Sequence, residues 1–134
     1  ISQCLSGNSE IKLGNLSPTR DLTFVKDTCK GFLEIFRSEK LYGQATNIGM
    51  NNEISIGDLV RMIVEIIGLE VSIKTDSNRV RPEKSEVDRL YCDNDKLIEY
   101  TNWSPDYSLK SGLMETVEWF KTSSSIKNPE LYHV

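Results

Sequence analysis

Runs that read as strands are few, short and separated by helical stretches, and this scarcity limits the folds open to the chain. Ile11 and Leu13 alternate with polar neighbours before Asn15 and Pro18, which predicts a short strand and then a turn. Val71-Ser72-Ile73-Lys74 alternates in the same way. Ala45-Thr46-Asn47-Ile48-Gly49 reads as a short buried strand ending on a glycine. Two or three isolated strands do not close a sheet, so they need a sheet elsewhere to join.

The helical stretches are better marked. Val25, Cys29, Phe32, Leu33 and Phe36 recur at helical spacing, with Asp27 in the first turn where the macrodipole favours an acid. Ser55 with Asp58 three residues on resembles a capping box. Behind it, Ile56, Leu59, Val60, Ile63, Ile66 and Ile67 form an apolar face, and Gly68 is placed to end the helix. The polar stretch from Thr75 to Glu86 is expected to cross the surface as a loop. A short helix is predicted from about Asn94 to Tyr100, ending before Trp103-Ser104-Pro105. A last helix begins near Ser108 with Leu109, Leu113, Val117 and Phe120 on one face. The expected fold is therefore α/β, with few short strands and about four helices.

Length suits one domain spanning 1–134, with a polar tail over 123–134. The start Ile1-Ser2-Gln3-Cys4-Leu5 lacks an initiator Met and an apolar signal core, so it reads as a cut from a longer chain. No apolar run approaches the roughly 20 residues of a spanning helix, which excludes a membrane span. A net charge of −4 disfavours nucleic acid, whose phosphates demand an excess of Lys and Arg. Cys4, Cys29 and Cys92 are odd in number and lack a Cys-x-x-Cys spacing, which argues against a disulfide framework and a zinc site. A reducing cytoplasm is the expected compartment.

Most familiar catalytic chemistry is missing. His133 is the one histidine, so no histidine triad or multi-histidine metal site can form. Glu65, Glu115 and Glu118 fall on solvated helix faces rather than in acid/base pairs. No glycine-rich dinucleotide or triphosphate loop occurs, so the chain alone is expected to hold no cofactor. Loop arginines remain, Arg20 beside Asp21 and Arg81 before Pro82, and a guanidinium fork grips an anion in two places. Arg37, Arg79 and Arg89 are read as surface or ion-paired groups.

The stretch from Leu13 to Asp27, with Arg-Asp-x-x-x-Val-x-Asp at its heart, resembles a segment of the extended short-chain dehydrogenase/reductases. Further matches follow in that family's order: Ala45-Thr46-Asn47-Ile48-Gly49, Glu53-Ile54-Ser55-Ile56, Arg81-Pro82 with Glu86-Val87, and Asn102-Trp103-Ser104-Pro105. The last runs into Ser108-Leu109, Gly112-Leu113 and Thr116 to Phe120, similar to the family's closing helix. The resemblance implies the C-terminal, substrate-binding portion of an NAD(P)-dependent nucleotide-sugar dehydratase or epimerase, lacking most of the Rossmann sheet. It implies that Arg20, Asn47 and Arg81 donate to the nucleotide diphosphate, that Leu13 packs near the base, and that Glu86 binds ribose hydroxyls. The chemistry fits, because donors on different loops can converge on one diphosphate and a carboxylate accepts from two hydroxyls.

Leu13 to Leu16, Arg81 to Val87 and Asn128 to Tyr132 look most like 4,6-dehydratases of the legionaminic-acid type, which act on GDP- or UDP-linked N-acetylglucosamine. The family's Tyr-x-x-x-Lys pair and glycine-rich NAD(P) turn lie upstream of the matched region. None of Tyr42, Tyr91, Tyr100, Tyr107 or Tyr132 has lysine four residues on, so no catalytic residue is assigned. NAD or NADP and a homo-oligomer are expected of the full-length enzyme, with the missing Rossmann half as partner. A 4-epimerase of the same family is the nearest alternative. A non-enzymatic interaction module, with Ser55 to Ile73 as half of a helix-turn-helix, is the more distant one, and the acidic charge disfavours it.

Overall fold

Capping chemistry fixes the best-formed helix. In a computed structural model, which describes residues 1–80 and 85–123, Ser55 Oγ accepts the Asp58 amide at 3.0 Å and starts the helix Ile56–Ile67. Gly68 ends it in the left-handed region at φ 77°. That conformation costs a glycine little and an L side chain more.

The chain divides into two compact units, one built from Ile1–Pro18, Ser55–Asp88 and the residues from Leu113 onward, the other from Thr19–Ile54 and Arg89–Gly112. In the first unit a helical turn, α1 (Ser2–Leu5), precedes β1 (Glu10–Leu13), and β1 pairs parallel with β4 (Ser72–Thr75) so that Ile11 stands opposite Ile73. Parallel partners need a long crossover, and the helix Ile56–Ile67, α3, lies within it. Ile11 and α3's Val60 are buried with Cys4, and Leu13, Ile56, Val64, Ile67 and Val71 pack around them. The Ile56 and Gly57 amides donate to the carbonyls of Pro18 and Leu16, each at 2.9 Å, which ties the start of α3 to the segment after β1. Gly14 is needed where it stands, because a Cβ there would overlap the Arg79 carbonyl.

In the second unit β2 (Thr19–Arg20) is the middle strand of the order β3-β2-β5, with β3 at Ile54–Ser55 and β5 at Arg89–Leu90. Helix α2 (Val25–Arg37) follows β2, and α4 (Asp95–Tyr100) follows β5. Leu41, Leu97 and Trp103 are buried here. Asp27 is 1% exposed and does more than complement the α2 dipole, since its carboxylate accepts the amides of Asp106 (2.8 Å) and Tyr107 (3.2 Å). Trp103 Nε1 donates to the Asp27 carbonyl at 3.0 Å, so one turn of α2 holds the Trp-Ser-Pro bend in place. The last helix, α5, spans Leu109–Thr122.

Two outcomes differ from the sequence reading. Ala45 to Gly49 forms no strand: no neighbouring strand among the described residues pairs with it, and a strand exists only through its ladder. The apolar stripe of α2 faces outward, with Phe36 76%, Phe32 65% and Val25 63% exposed. No helix of the described residues is long and apolar enough to cross a membrane.

Candidate functional site

The second unit organises itself around Asp21, the residue after the β2 arginine. Thr19 and Arg20 pair with Arg89 and Leu90, and the Asp21 amide continues the ladder by donating to the Leu90 carbonyl at 2.9 Å. Its carboxylate then accepts three backbone amides, from Met50 at 2.9 Å, Asn52 at 3.2 Å and Cys92 at 3.4 Å. One acidic side chain thus fixes both the segment after Gly49 and the exit of β5. Gly49 must lack a side chain, because a Cβ would overlap Cys92. Asn94, buried, donates to the Gly49 carbonyl at 2.7 Å.

A cavity of about 550 Å³ opens beside this lattice, lined among others by Asp21, Thr46, Asn47, Tyr91, Cys92 and Phe32. Asn47 Nδ2 donates to the Asp93 carbonyl at 3.2 Å, leaving its Oδ1 and second N–H as polar capacity at the exposed wall. Thr46 Oγ1 is buried and has no hydrogen-bond partner among the described residues. Burial, followed by the Asp21 and Asp93 carboxylates, pushes the Cys92 thiol up, away from thiolate character.

Beside β2, Glu53 accepts from Thr19 Oγ1 at 2.6 Å and from Arg89 Nε at 2.9 and 3.0 Å, with Arg89 NH2 at 2.8 Å. The Arg89 hydrogen bond first, and the Thr19 one second, hold the Glu53 carboxyl below its ordinary value. Arg89 is therefore ion-paired, as expected for it. Arg20 NH1 donates to the Thr19 carbonyl at 2.7 Å.

Arg20 and Asn47 are thus carried by the same unit, Asn47 on the cavity wall and Arg20 on β2. Leu13 and Glu86 belong to the other unit. Leu13 ends β1 half-buried against the core, and a Glu86 carboxylate oxygen accepts the following Val87 amide at 3.2 Å. Arg81 lies outside the described residues, as do 82–84 and 124–134. What the sequence reading missed is the structural work of Asp21 and Asp27. Both stand in the Arg-Asp-x-x-x-Val-x-Asp pattern, which was the available signal.

A dinucleotide cradle needs a glycine-rich turn from a strand into a helix N-terminus. The positive-φ glycines among the described residues, Gly7, Gly43 and Gly68, each stand just past a helical C-terminus, and none of them opens such a turn. The described residues also hold no cluster of three or more His, Cys, Asp or Glu able to bind a metal.

This arrangement of short parallel strands between helices is the fold of one part of an extended short-chain dehydrogenase/reductase. The GDP-mannose 4,6 dehydratase family pattern matches residues 1–116, and the chain belongs to that family of nucleotide-sugar dehydratases and epimerases. It is 30% identical over 124 residues to a putative UDP-glucose 4-epimerase of Methanocaldococcus jannaschii, covering 92% of this chain and 38% of the relative. Against dTDP-glucose 4,6-dehydratase of Xanthomonas campestris pv. campestris the identity is 26%, covering 93% of this chain and 37% of the relative. Among solved structures, UDP-glucuronic acid 4-epimerase of Bacillus cereus, a Y149F mutant bound to UDP-4-deoxy-4-fluoro-glucuronic acid and NAD, superposes with TM-score 0.76 at 25% identity. That match covers 90% of this chain and 37% of the solved one. The chain therefore spans well under half the length of the relatives it matches.

Proposed function

We propose that this chain grips the diphosphate of a sugar nucleotide within an NAD(P)-dependent nucleotide-sugar 4,6-dehydratase. The observation that carries the reading is the lattice around Asp21, which ties β5 and the segment after Gly49 to the residue next to Arg20. A donor on backbone so fixed meets an anion without first being ordered, and preorganisation of this kind adds to affinity.

In this reading Arg20, Asn47 and Arg81 donate to the diphosphate, Leu13 packs near the base, and Glu86 accepts from ribose hydroxyls. The chain supplies binding energy and orientation rather than a reacting group. The legionaminic-type resemblance favours a GDP- or UDP-linked N-acetylglucosamine as substrate. The enzyme is proposed to act as a homo-oligomer in the cytoplasm, a reducing compartment that suits three cysteines outside any disulfide.

Calorimetric titration of GDP-, UDP- and dTDP-sugars into the NAD-loaded enzyme that contains this chain tests the proposal. Selective binding of one of them is expected, followed by a product lighter by one water. The epimerase name carried by the Methanocaldococcus jannaschii relative favours the second reading, a 4-epimerase, whose product keeps the substrate's mass. No binding of any nucleotide sugar would return the chain to the interaction-module reading.

A further inference from the structure

In the first unit, the outer face of the β1–β4 pair carries a positive charge that the described residues do not balance. Side chains alternate along a strand, so burial of Ile11 in the core turns Glu10 and Lys12 the other way. The parallel register then sets Lys12 opposite Lys74. Like charges facing each other across strands are unfavourable, and an anion beside them offsets the repulsion. Glu10 serves Lys74, at 3.8 Å, whereas Lys12 has no carboxylate within ion-pair distance among the described residues. The Lys12 backbone is nonetheless held firmly, because Gln3 Oε1 accepts its amide at 2.7 Å and Gln3 Nε2 donates to its carbonyl at 2.9 Å.

A cavity of about 290 Å³ opens at Lys12, with Asn8, Glu10, Asp76 and Arg79 among its walls. Asp76 keeps Arg79 in place: one carboxylate oxygen lies 3.4 Å from Arg79 Nε, and the other accepts the Asn78 amide at 3.0 Å. The Asn8 side-chain amide has no hydrogen-bond partner among the described residues. The described lining thus holds two cations, two carboxylates and uncommitted amide capacity, with no aromatic or large aliphatic side chain.

We propose that this cavity binds a phosphorylated sugar, its phosphate between Lys12 and Arg79 and its hydroxyls on Asn8 and on the Glu10 and Asp76 carboxylates. Each part of the lining then has a use. A guanidinium and an ammonium both grip phosphate oxygens, and a carboxylate accepts from hydroxyls. A nucleobase would find no ring or aliphatic surface here to stack on. An inorganic anion alone would sit beside two carboxylates with nothing to offer them. Size agrees as well, because ligand pockets start at about 300 Å³ and this one suits a single pyranose with its phosphate. The site is independent of the diphosphate reading, since it shares no residue with those assigned to the nucleotide.

The test is calorimetric titration of N-acetylglucosamine 1-phosphate into the NAD-loaded enzyme that contains this chain, with inorganic phosphate and free N-acetylglucosamine as partial probes. The sugar phosphate should bind at least about tenfold more tightly than either part. Lys12→Ala should weaken it about tenfold or more without moving the urea midpoint, because the Lys12 side chain is exposed. Asn8→Asp, which sets a further carboxylate beside the phosphate, should weaken it similarly, and Arg20→Ala should leave it unchanged. No binding, or equal affinity in the native protein and Lys12→Ala, overturns the proposal. So does binding that is lost in Arg20→Ala and kept in Lys12→Ala, which would put the probe at the nucleotide grip. Inorganic phosphate binding as tightly as the sugar phosphate overturns the sugar assignment. A failed nucleotide-sugar titration leaves these readouts untouched.

Discussion

The Asp21 carboxylate accepts the Met50 amide at 2.9 Å across 29 residues of sequence, and with the Cys92 amide on its second oxygen it joins two distant segments to the end of β2. Charged acceptors of this kind contribute about 1.5–3 kcal/mol each when their donors have no other partner. Asp21→Asn replaces an acceptor by an N–H that opposes those amides. It should lower unfolding free energy by about 2–3 kcal/mol in urea titration. An unchanged midpoint would remove Asp21 from its organising role.

Asp27 is the second such acceptor, and it is almost fully buried. Asp27→Ala orphans the Asp106 and Tyr107 amides and should cost about 3 kcal/mol. Trp103, held to the same turn of α2, should lose its near-UV circular dichroism signal in parallel with the Trp-Ser-Pro bend. A stable variant with a native signal would contradict this account of the bend.

These two carboxylates also show what was legible in the sequence. Helix α3 could be read residue by residue because its cap at Ser55, its apolar face and its terminal Gly68 are all local signals. The closing helix and the short α4 were legible for the same reason. Asp27 looked like a first-turn acid because its actual partners stand 79 and 80 residues away, a distance that periodicity cannot span. Ala45 to Gly49 carries strand residues, yet whether they form a strand depends on a neighbour that the local sequence does not contain. The family-like order of short motifs singled out Arg20 and Asn47, but the pairing of Glu53 with Arg89 depends on the β2 and β5 register.

Gly31 allows α2 to approach Ile48. Gly31→Ala should destabilise by about 1–3 kcal/mol through overlap with Ile48 Cγ2, Cδ1 and Cγ1. Ile48→Ala removes the opposing atoms, so the double variant should recover part of the loss, a coupling that a double-mutant cycle in urea measures directly. Strictly additive losses would mean that the two residues do not meet.

Glu53 gives the unit an acid-sensitive joint. Its carboxyl lies below the ordinary 4.5 because Arg89, and then Thr19, hydrogen-bond the charged form. A depressed folded-state pKa contributes stability above the unfolded value, and that contribution is lost as pH falls through the folded one. The difference in stability between the native protein and Glu53→Gln should therefore be constant above about pH 5 and shrink below 4.5. A difference independent of pH down to acid unfolding would show that Glu53 gains nothing from Arg89.

The most direct test of the central claim is calorimetric titration of the selected nucleotide sugar into the NAD-loaded enzyme containing this chain, with Arg20→Ala and Arg20→Lys beside the native residue. Loss of a charge-assisted donor predicts an affinity reduced by about tenfold or more for alanine, and a smaller loss for lysine, which keeps the charge without the fork. Equal affinities in all three proteins would contradict the diphosphate grip.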